Sequence, residues 1–436
     1  MLFAGLAVGL FPALSVGKTY IDIGSPGFRS LPVAVVEVGP AEGAAPCADA
    51  GLAGKIVRVL LQDLEMSGYF QILPAEAYLV ESRDVKFHPE GIDFRAWALI
   101  GAEALILHRT QCERDQVVFE AQLLDVLTGN LLTWKKYRST PSGYRAVGHR
   151  FANEVEKELT GVFGAYDTRI AYVSKITGSK ELYVMDYDGF GSRRISNLKS
   201  ICLSPSWSPD SKRIGFTSFH KSNPSVYVME LSGGSELKRI CGTLARLCSG
   251  AAWSPDGNWI ALSAALEGNS ELFKVRLGEK GAPVRLTNDW SIDVSPSWSP
   301  DGKQIVFMSD RTGKPDLFIL DAEGGTPKRL TFEGSYSGDP DWSPKGDWIA
   351  FASRVDGDFQ IFRIRPDGTE RTQLTSGPGD GMSPSWSPNG RLIAFSSNQA
   401  GTYDIYLVRM DGSGRKRITW EAHDASDPAW SPVGSE

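Results

Sequence analysis

From residue 166 onward the apolar positions come in short runs, rich in β-branched and aromatic residues and closed by turn formers. One unit reads Trp298-Ser-Pro-Asp-Gly302, then Gln304-Ile-Val-Phe-Met-Ser309, Asp316-Leu-Phe-Ile-Leu-Asp321 and Lys328-Arg-Leu-Thr331. Runs this short and this regularly punctuated predict strands, four to the unit. The unit recurs: Trp-Ser-Pro begins at Trp207, Trp253, Trp298, Trp342, Trp386 and Trp430, spaced 46, 45, 44, 44 and 44 residues apart. Four-stranded repeats of about 40–50 residues build the blades of a propeller. Ser254-Pro-Asp-Gly257 and Ser299-Pro-Asp-Gly302 suit type I turns, with Ser343-Pro-Lys-Gly346 and Ser387-Pro-Asn-Gly390 as variants and Ser211 in place of the glycine in the first unit.

The ends of the array predict how it closes. Arg169-Ile-Ala-Tyr-Val-Ser174 matches a second strand but has no Trp-Ser-Pro before it, and Trp430-Ser-Pro432 has no second strand after it. Five whole units and two complementary halves make six blades, with the C-terminal strand pairing with the first propeller strands so that no sheet edge stays open.

Residues 18–165 do not repeat. Leu31–Val38, Ala104–Leu107 and Val117–Val126 read as strands, and Thr128-Gly129-Asn130 as a hairpin turn into Leu131–Tyr137. Gly54–Ser67 has helical spacing, with Ile56, Val59, Leu60 and Leu64 on one face. A second helix over Ser142–Leu159 turns Tyr144, Val147, Phe151, Val155 and Leu159 inward. The expected fold is therefore an α+β N-terminal domain with a mixed sheet (18–165), followed by an all-β six-bladed β-propeller (166–436). Residues 1–17 stand apart. Leu2–Leu14 is small or apolar, too short to span a membrane, and Ser15 and Gly17 precede Lys18 as a signal peptidase requires, although no Lys or Arg precedes the apolar run. The reading is an exported chain; a buried N-terminal element is the alternative.

Composition narrows the chemistry. A formal net charge of −6 argues against a nucleic-acid partner. The five histidines do not sit at metal-ligand spacing, and no Cys-x-x-Cys, His-Glu-x-x-His, Gly-x-Ser-x-Gly or P-loop motif is present. Asp186-Tyr-Asp-Gly189 is a fragment of a calcium loop without its remaining ligands and reads as a turn. The expectation is a binding protein with no cofactor, metal or catalytic residue. The rival is a six-bladed propeller hydrolase or lyase with a metal at the channel mouth. Of the cysteines, Cys47 with Cys112, or Cys241 with Cys248, could bridge after export.

A residue repeated in every blade answers a need of every blade, so the six tryptophans read as packing between blades rather than a ligand cage. Recognition belongs where the repeats differ. Connections from strand one to two and from three to four are monotonous and share one face. Those from two to three and from four to the next blade vary and share the other. This second face supplies the rim candidates: Arg246, Trp290, Asp293, Tyr336, Asp380, Met382, His423 and Asp424, with Asp289 among them.

The Trp-Ser-Pro-Asp-Gly…Ile-Ala-Phe units resemble the propeller repeats of the TolB family. So does the junction, Leu159-Thr-Gly161 followed by Tyr166-Asp-Thr-Arg-Ile-Ala-Tyr-Val173 and Asp186-Tyr-Asp-Gly189. The resemblance implies a periplasmic component of the Tol-Pal system, which supports outer-membrane invagination at division and outer-membrane integrity. It further implies that the rim binds the peptidoglycan-associated lipoprotein Pal. The segment after the signal peptide, with Tyr20, Ile21, Ile23 and Phe28, would contact the inner-membrane protein TolA. The family can carry a histidine where this chain has Leu247.

Overall fold

The computed structural model describes residues 29–41, 47, 49, 51–81, 84–232, 237–241, 247–266, 268–278, 282–420 and 424–434. The expected signal peptide, the segment bearing Tyr20, Ile21, Ile23 and Phe28, and the rim candidates Arg246 and His423 lie outside them.

The N-terminal domain runs β1 (Leu31–Glu37), α1 (Leu52–Ser67), β2 (Phe70–Ile72), α2 (Phe94–Leu99), β3 (Ala104–Glu113), β4 (Gln116–Asp125), β5 (Leu131–Ser139) and α3 (Tyr144–Thr160). Its sheet order is β2-β1-β3-β4-β5, with β1 parallel to β2 and β3 and the other pairs antiparallel, the mixed sheet that was expected. One face packs Val33, Ile106, Phe119 and Leu123 against Ile56, Leu60 and Leu64 of α1 and Phe151 and Val155 of α3. The other face packs Val36, Leu105 and Leu107 under Phe87 and Trp97. Burial on both faces explains why β1 is a continuous apolar run rather than an alternating one. Cys47 and Cys112 are disulfide-bonded, whereas Cys202, Cys241 and Cys248 are free and buried. Helix α1 stops at Gly68, whose φ of 76° is a left-handed cap that a side chain resists.

Six four-stranded antiparallel sheets follow. We number the blades by their inner strands: Cys202–Trp207, Leu247–Trp253, Asp293–Trp298, Ser337–Trp342, Gly381–Trp386 and Ser426–Trp430. Blade six is completed by Arg169–Ser174, Glu181–Asp186 and Arg193–Arg194, in the register Ser426↔Val173, Ala429↔Ala171, Trp430↔Ile170. The ring closes through its two half-repeats, as the sequence predicts.

Every inner strand carries a bulge at the same place. Ser204, Gly250, Ser295, Asp339, Ser383 and Asp427 have φ of 49°, 70°, 54°, 50°, 51° and 52°, and the strand register shifts there. Such bulges bend a strand and increase its twist. The bend precedes the tryptophan by three residues, and that indole reaches the neighbouring blade. Trp207, Trp298 and Trp386 donate their indole N–H to the carbonyls of Ala429 (2.9 Å), Ala252 (3.1 Å) and Asp341 (3.1 Å). Trp342 turns to the Gly346 carbonyl (3.4 Å) and Trp430 to Thr168 Oγ1 (2.7 Å). All six are buried. Within the turns, Ser254 Oγ donates to Asp256 Oδ1 (2.5 Å) and the Gly257 N–H to the Ser254 carbonyl (2.9 Å). Ser211 takes the glycine's left-handed role at a φ of 57°.

Candidate protein-interaction faces

The α/β domain docks on the face made by the uniform turns. Arg391, beside the one-to-two turn of blade five, pairs with Glu156 of α3, donates to Thr160 Oγ1 (3.1 Å) and lies 4.5 Å over the Tyr69 ring. At the end of the third strand of the same blade, Arg409 donates to the carbonyls of Glu65 (2.8 Å) and Met66 (3.0 Å), satisfying C-terminal carbonyls of α1 with a cation where the helix dipole favours one. Blade six contributes Tyr187, whose hydroxyl donates to Asp63 Oδ1 (2.5 Å), while Asp63 Oδ2 lies 2.7 Å from His149 Nδ1. Burial pushes the Asp63 carboxyl up, against the pull of His149 and Tyr187. The same burial pulls His149 down, but its bond to Asp63 and the charges of Asp63 and Asp188 together outweigh this and hold it above its ordinary value.

His149, Asp186 and Asp188 also sit close enough to suggest a cation site. Arg145 fills it: its guanidinium pairs with Asp188, lies 3.6 Å from Asp186 and 3.3 Å from His149 Nε2. A metal does not fit beside that resident charge. Asp186–Gly189 is a turn, closed by the Gly189 N–H on the Asp186 carbonyl (2.9 Å).

Docking on one face leaves the variable loops on the other. Trp290 stands there almost bare, at 97% exposure. Tyr336, Asp380 and Met382 come together in one cluster over blades three to five. Tyr336 packs edge-on against Phe359 (5.0 Å between centroids), with its hydroxyl 3.4 Å from Met308 Sδ. Asp380 accepts from the Phe359 N–H (2.9 Å) and the Tyr403 hydroxyl (3.1 Å), and Tyr403 reaches Met382. Asp424 is separate, paired with Lys175 (2.7 Å). Asp289 is held by Ser291. The structure corrects Asp293: it is fully buried and gripped by Arg311 at 3.0 and 2.9 Å, so it braces the loop and presents nothing to a partner. Sequence reasoning missed Phe359 and Tyr403. It also missed a set of exposed apolar side chains in the blade-to-blade connections: Ile201, Ile292, Phe332 (67% exposed) and Trp420 (71%). Their signal was available, since each is a bulky apolar residue in a connection rather than a strand.

Between the faces lies a channel of about 410 Å³, lined by the inner strands and the Trp-Ser-Pro turns. Three carboxylates face it. Asp341 Oδ2 accepts the Trp386 N–H (2.8 Å) and Asp427 Oδ2 the Ser204 N–H (3.1 Å), so both tie blade to blade. Burial pushes Asp339 and Asp341 up to about 6, helped at Asp339 by the charge of Asp427.

With this geometry in place, the comparisons decide the family. Residues 156–434 match the model of the TolB beta propeller domain and residues 19–132 that of the TolB amino-terminal domain. The chain belongs to the TolB family. It is 33% identical over 301 residues to a TolB homolog of Chlorobium chlorochromatii, covering 69% of this chain and 66% of that one. With the Tol-Pal system protein TolB of Syntrophotalea carbinolica it shares 39% identity over 197 residues, 45% of each chain. The matches thus span about half to two thirds of these relatives' lengths. The crystal structure of TolB from Acinetobacter baumannii superposes with a TM-score of 0.79 at 26% identity, covering 93% of this chain and 97% of that one. The TolB-family fold, α/β domain and six blades together, is therefore the fold of this chain. Among the described residues no helix is long and apolar enough to cross a membrane.

Proposed function

We propose that this chain is a non-catalytic periplasmic component of the Tol-Pal envelope system, supporting outer-membrane invagination and integrity. Its open propeller face binds a Pal-like lipoprotein, and the N-terminal segment with Tyr20, Ile21, Ile23 and Phe28 binds a TolA-like protein. The observation that carries this reading is the division of faces: uniform turns hold the α/β domain, and the variable loops with their aromatic cluster are left exposed. The names of the relatives supply the system. The rival enzyme reading loses ground because two of the channel carboxylates are engaged in hydrogen bonds between blades.

The test is a pair of titrations with a purified Pal-like lipoprotein domain and a TolA-like C-terminal domain. Tyr336→Ala with Tyr403→Ala removes the centre of the rim cluster. Interface anchors carry about 2 kcal/mol or more, so Pal affinity falls at least about tenfold while TolA binding stays. Deleting residues 18–30 gives the reverse pattern. A folded rim variant with full Pal affinity refutes the assignment.

A further inference from the structure

We propose that Cys241 and Cys248 form a second disulfide, clamping blade one to blade two across their junction. The argument rests on a comparison of the six junctions. In each, a small side chain just past the outer strand accepts the N–H at the start of strand three. Thr287, Thr331 and Thr375 do so in blades two, three and four, each at 2.9 Å, and in blade one Cys241 Sγ accepts from the Val226 N–H at 3.4 Å. At two junctions that side chain also meets the residue five before the tryptophan of the next inner strand. Thr287 meets Asp293 in this way, and Cys241 meets Cys248. Only at this junction are both positions cysteine.

The surroundings differ in the same direction. Elsewhere the hydroxyl donates to a strand-three acid or amide, as Thr287 does to Glu271 (2.6 Å) and Thr331 to Asp316 (3.2 Å). In blade one the corresponding residue is Ser225, so no carboxylate claims the thiol. Both cysteines are anchored on the same short stretch of blade one. Cys241 is held by the Val226 N–H, and the Cys248 N–H donates to the Pro224 carbonyl (3.0 Å). The two cysteines pack in the same apolar cluster and both are buried. The bond from Cys248 draws the Cys241 thiol down to about 7 against burial, and burial and Cys241 together push the Cys248 thiol up.

The oxidant is a disulfide, either glutathione disulfide or a protein disulfide. One cysteine of the pair attacks one oxidant sulfur as its thiolate, forming a mixed disulfide and releasing one thiolate. The other cysteine then attacks the bridged protein sulfur, expelling the second oxidant thiol, which takes up the attacking cysteine's proton. Two protein thiols are oxidised and one disulfide is reduced to two thiols. Because both sulfurs are buried, the exchange occurs as the ring folds or when the junction opens. The Cys47–Cys112 bridge shows that the chain already carries one such bond.

The test uses the full chain, refolded from urea in a glutathione buffer rich in the oxidised form. Free thiols are then alkylated in denaturant without reduction, and the chain is cut with trypsin. Arg246 lies between the two cysteines, so a bridge appears as two joined peptides that separate on reduction. We expect that pair alongside Cys47–Cys112, with Cys202 alkylated. Alkylated Cys241 and Cys248 in a sample whose Cys47–Cys112 bridge has formed would overturn the proposal, as would pairing of Cys202 with either. The Cys241→Ser, Cys248→Ser chain should melt about 5 °C below the oxidised protein, the scale for losing a clamp on so short a loop. A bridge found by mass in a protein that melts like this variant would remove its role as a clamp.

Discussion

Arg391 offers the sharpest test of how the two domains are held. Its guanidinium is 6% exposed and its partner Glu156 1% exposed, deep between blade five and α3. Arg391→Met keeps the side chain's volume and its packing on Tyr69 but removes the charge. Glu156 then keeps only the Tyr166 hydroxyl as a strong partner. Removing one member of a buried ion pair costs about 3–5 kcal/mol, because the remaining charge stays buried without compensation. The Tyr166 bond offsets part of this, so about 3 kcal/mol is expected. For a propeller-sized unit that lowers the melting temperature by roughly 6–12 °C. Scanning calorimetry reads the loss, and near-ultraviolet circular dichroism shows whether the α/β domain now melts ahead of the propeller. Replacing both partners, Arg391→Met with Glu156→Leu, should recover most of the stability, since no charge is left stranded. A single variant that melts within about 1 °C of wild type, or a double variant no better than the single, refutes the claim that this pair holds the interface.

Trp298→Ala removes a buried indole and leaves the Ala252 carbonyl without its donor; a loss of about 3–5 kcal/mol in urea unfolding is expected, with the proposed binding of a Pal-like domain unchanged in the fraction that stays folded. The channel carboxylates predict a pH dependence. Asp339 and Asp341 titrate near 6 in the folded protein and near 3.8 in the unfolded one, so between those values the folded state binds more protons. Their contribution therefore falls as pH rises through that window, and Asp341→Asn should flatten the melting temperature between pH 4 and 7; an unchanged slope would count against the raised values.

The propeller was legible because each feature is stated six times. A strand that is ambiguous in one blade is fixed by its five counterparts, and the two half-repeats dictate the closure between Trp430 and Ile170. In the N-terminal domain α1 and α3 span several helical turns and announce themselves by spacing. The six-residue α2 and the three-residue β2 run for less than two full periods, too few to establish a pattern. Asp293 shows a different limit. It lies three residues from bare Trp290 and looks like a rim residue, yet it opens an inner strand and its side chain points under the loop to Arg311. Loop or strand membership decides this, and at a loop's last residue the pattern cannot. Asp63 is a third kind of miss. It sits on the apolar face of α1, next to Leu60 and Leu64, and such a polar intrusion signals a buried partner. One partner, His149, lies on α3 of the same domain; the other, Tyr187, lies in the propeller, and only the docking of the two domains reveals it.

The same blade serves both faces, and this constrains any communication between them. Arg391, which grips the α/β domain, immediately precedes the strand Leu392–Ser397. The residue after that strand, Asn398, accepts the Asp380 N–H (2.7 Å) at the rim cluster. A six-residue strand spans about 20 Å and is too stiff to transmit a signal by bending. A partner at the rim can therefore be felt at the α/β domain only if blade five tilts as a body. Tilting is opposed by the links to its neighbours: the Trp386 N–H on Asp341 Oδ2 (2.8 Å) on one side, and the Trp430 N–H on Ser385 Oγ (2.9 Å) on the other. Coupling between the two proposed partner sites thus requires two arrangements of these junctions, not a chain of contacts through the blade. Of the two links, only the one at Asp341 involves a titratable group. The Trp386 indole on the Asp341 carbonyl (3.1 Å) is a further link on that side, so a tilt of blade five has to break both of the hydrogen bonds that Trp386 makes to Asp341.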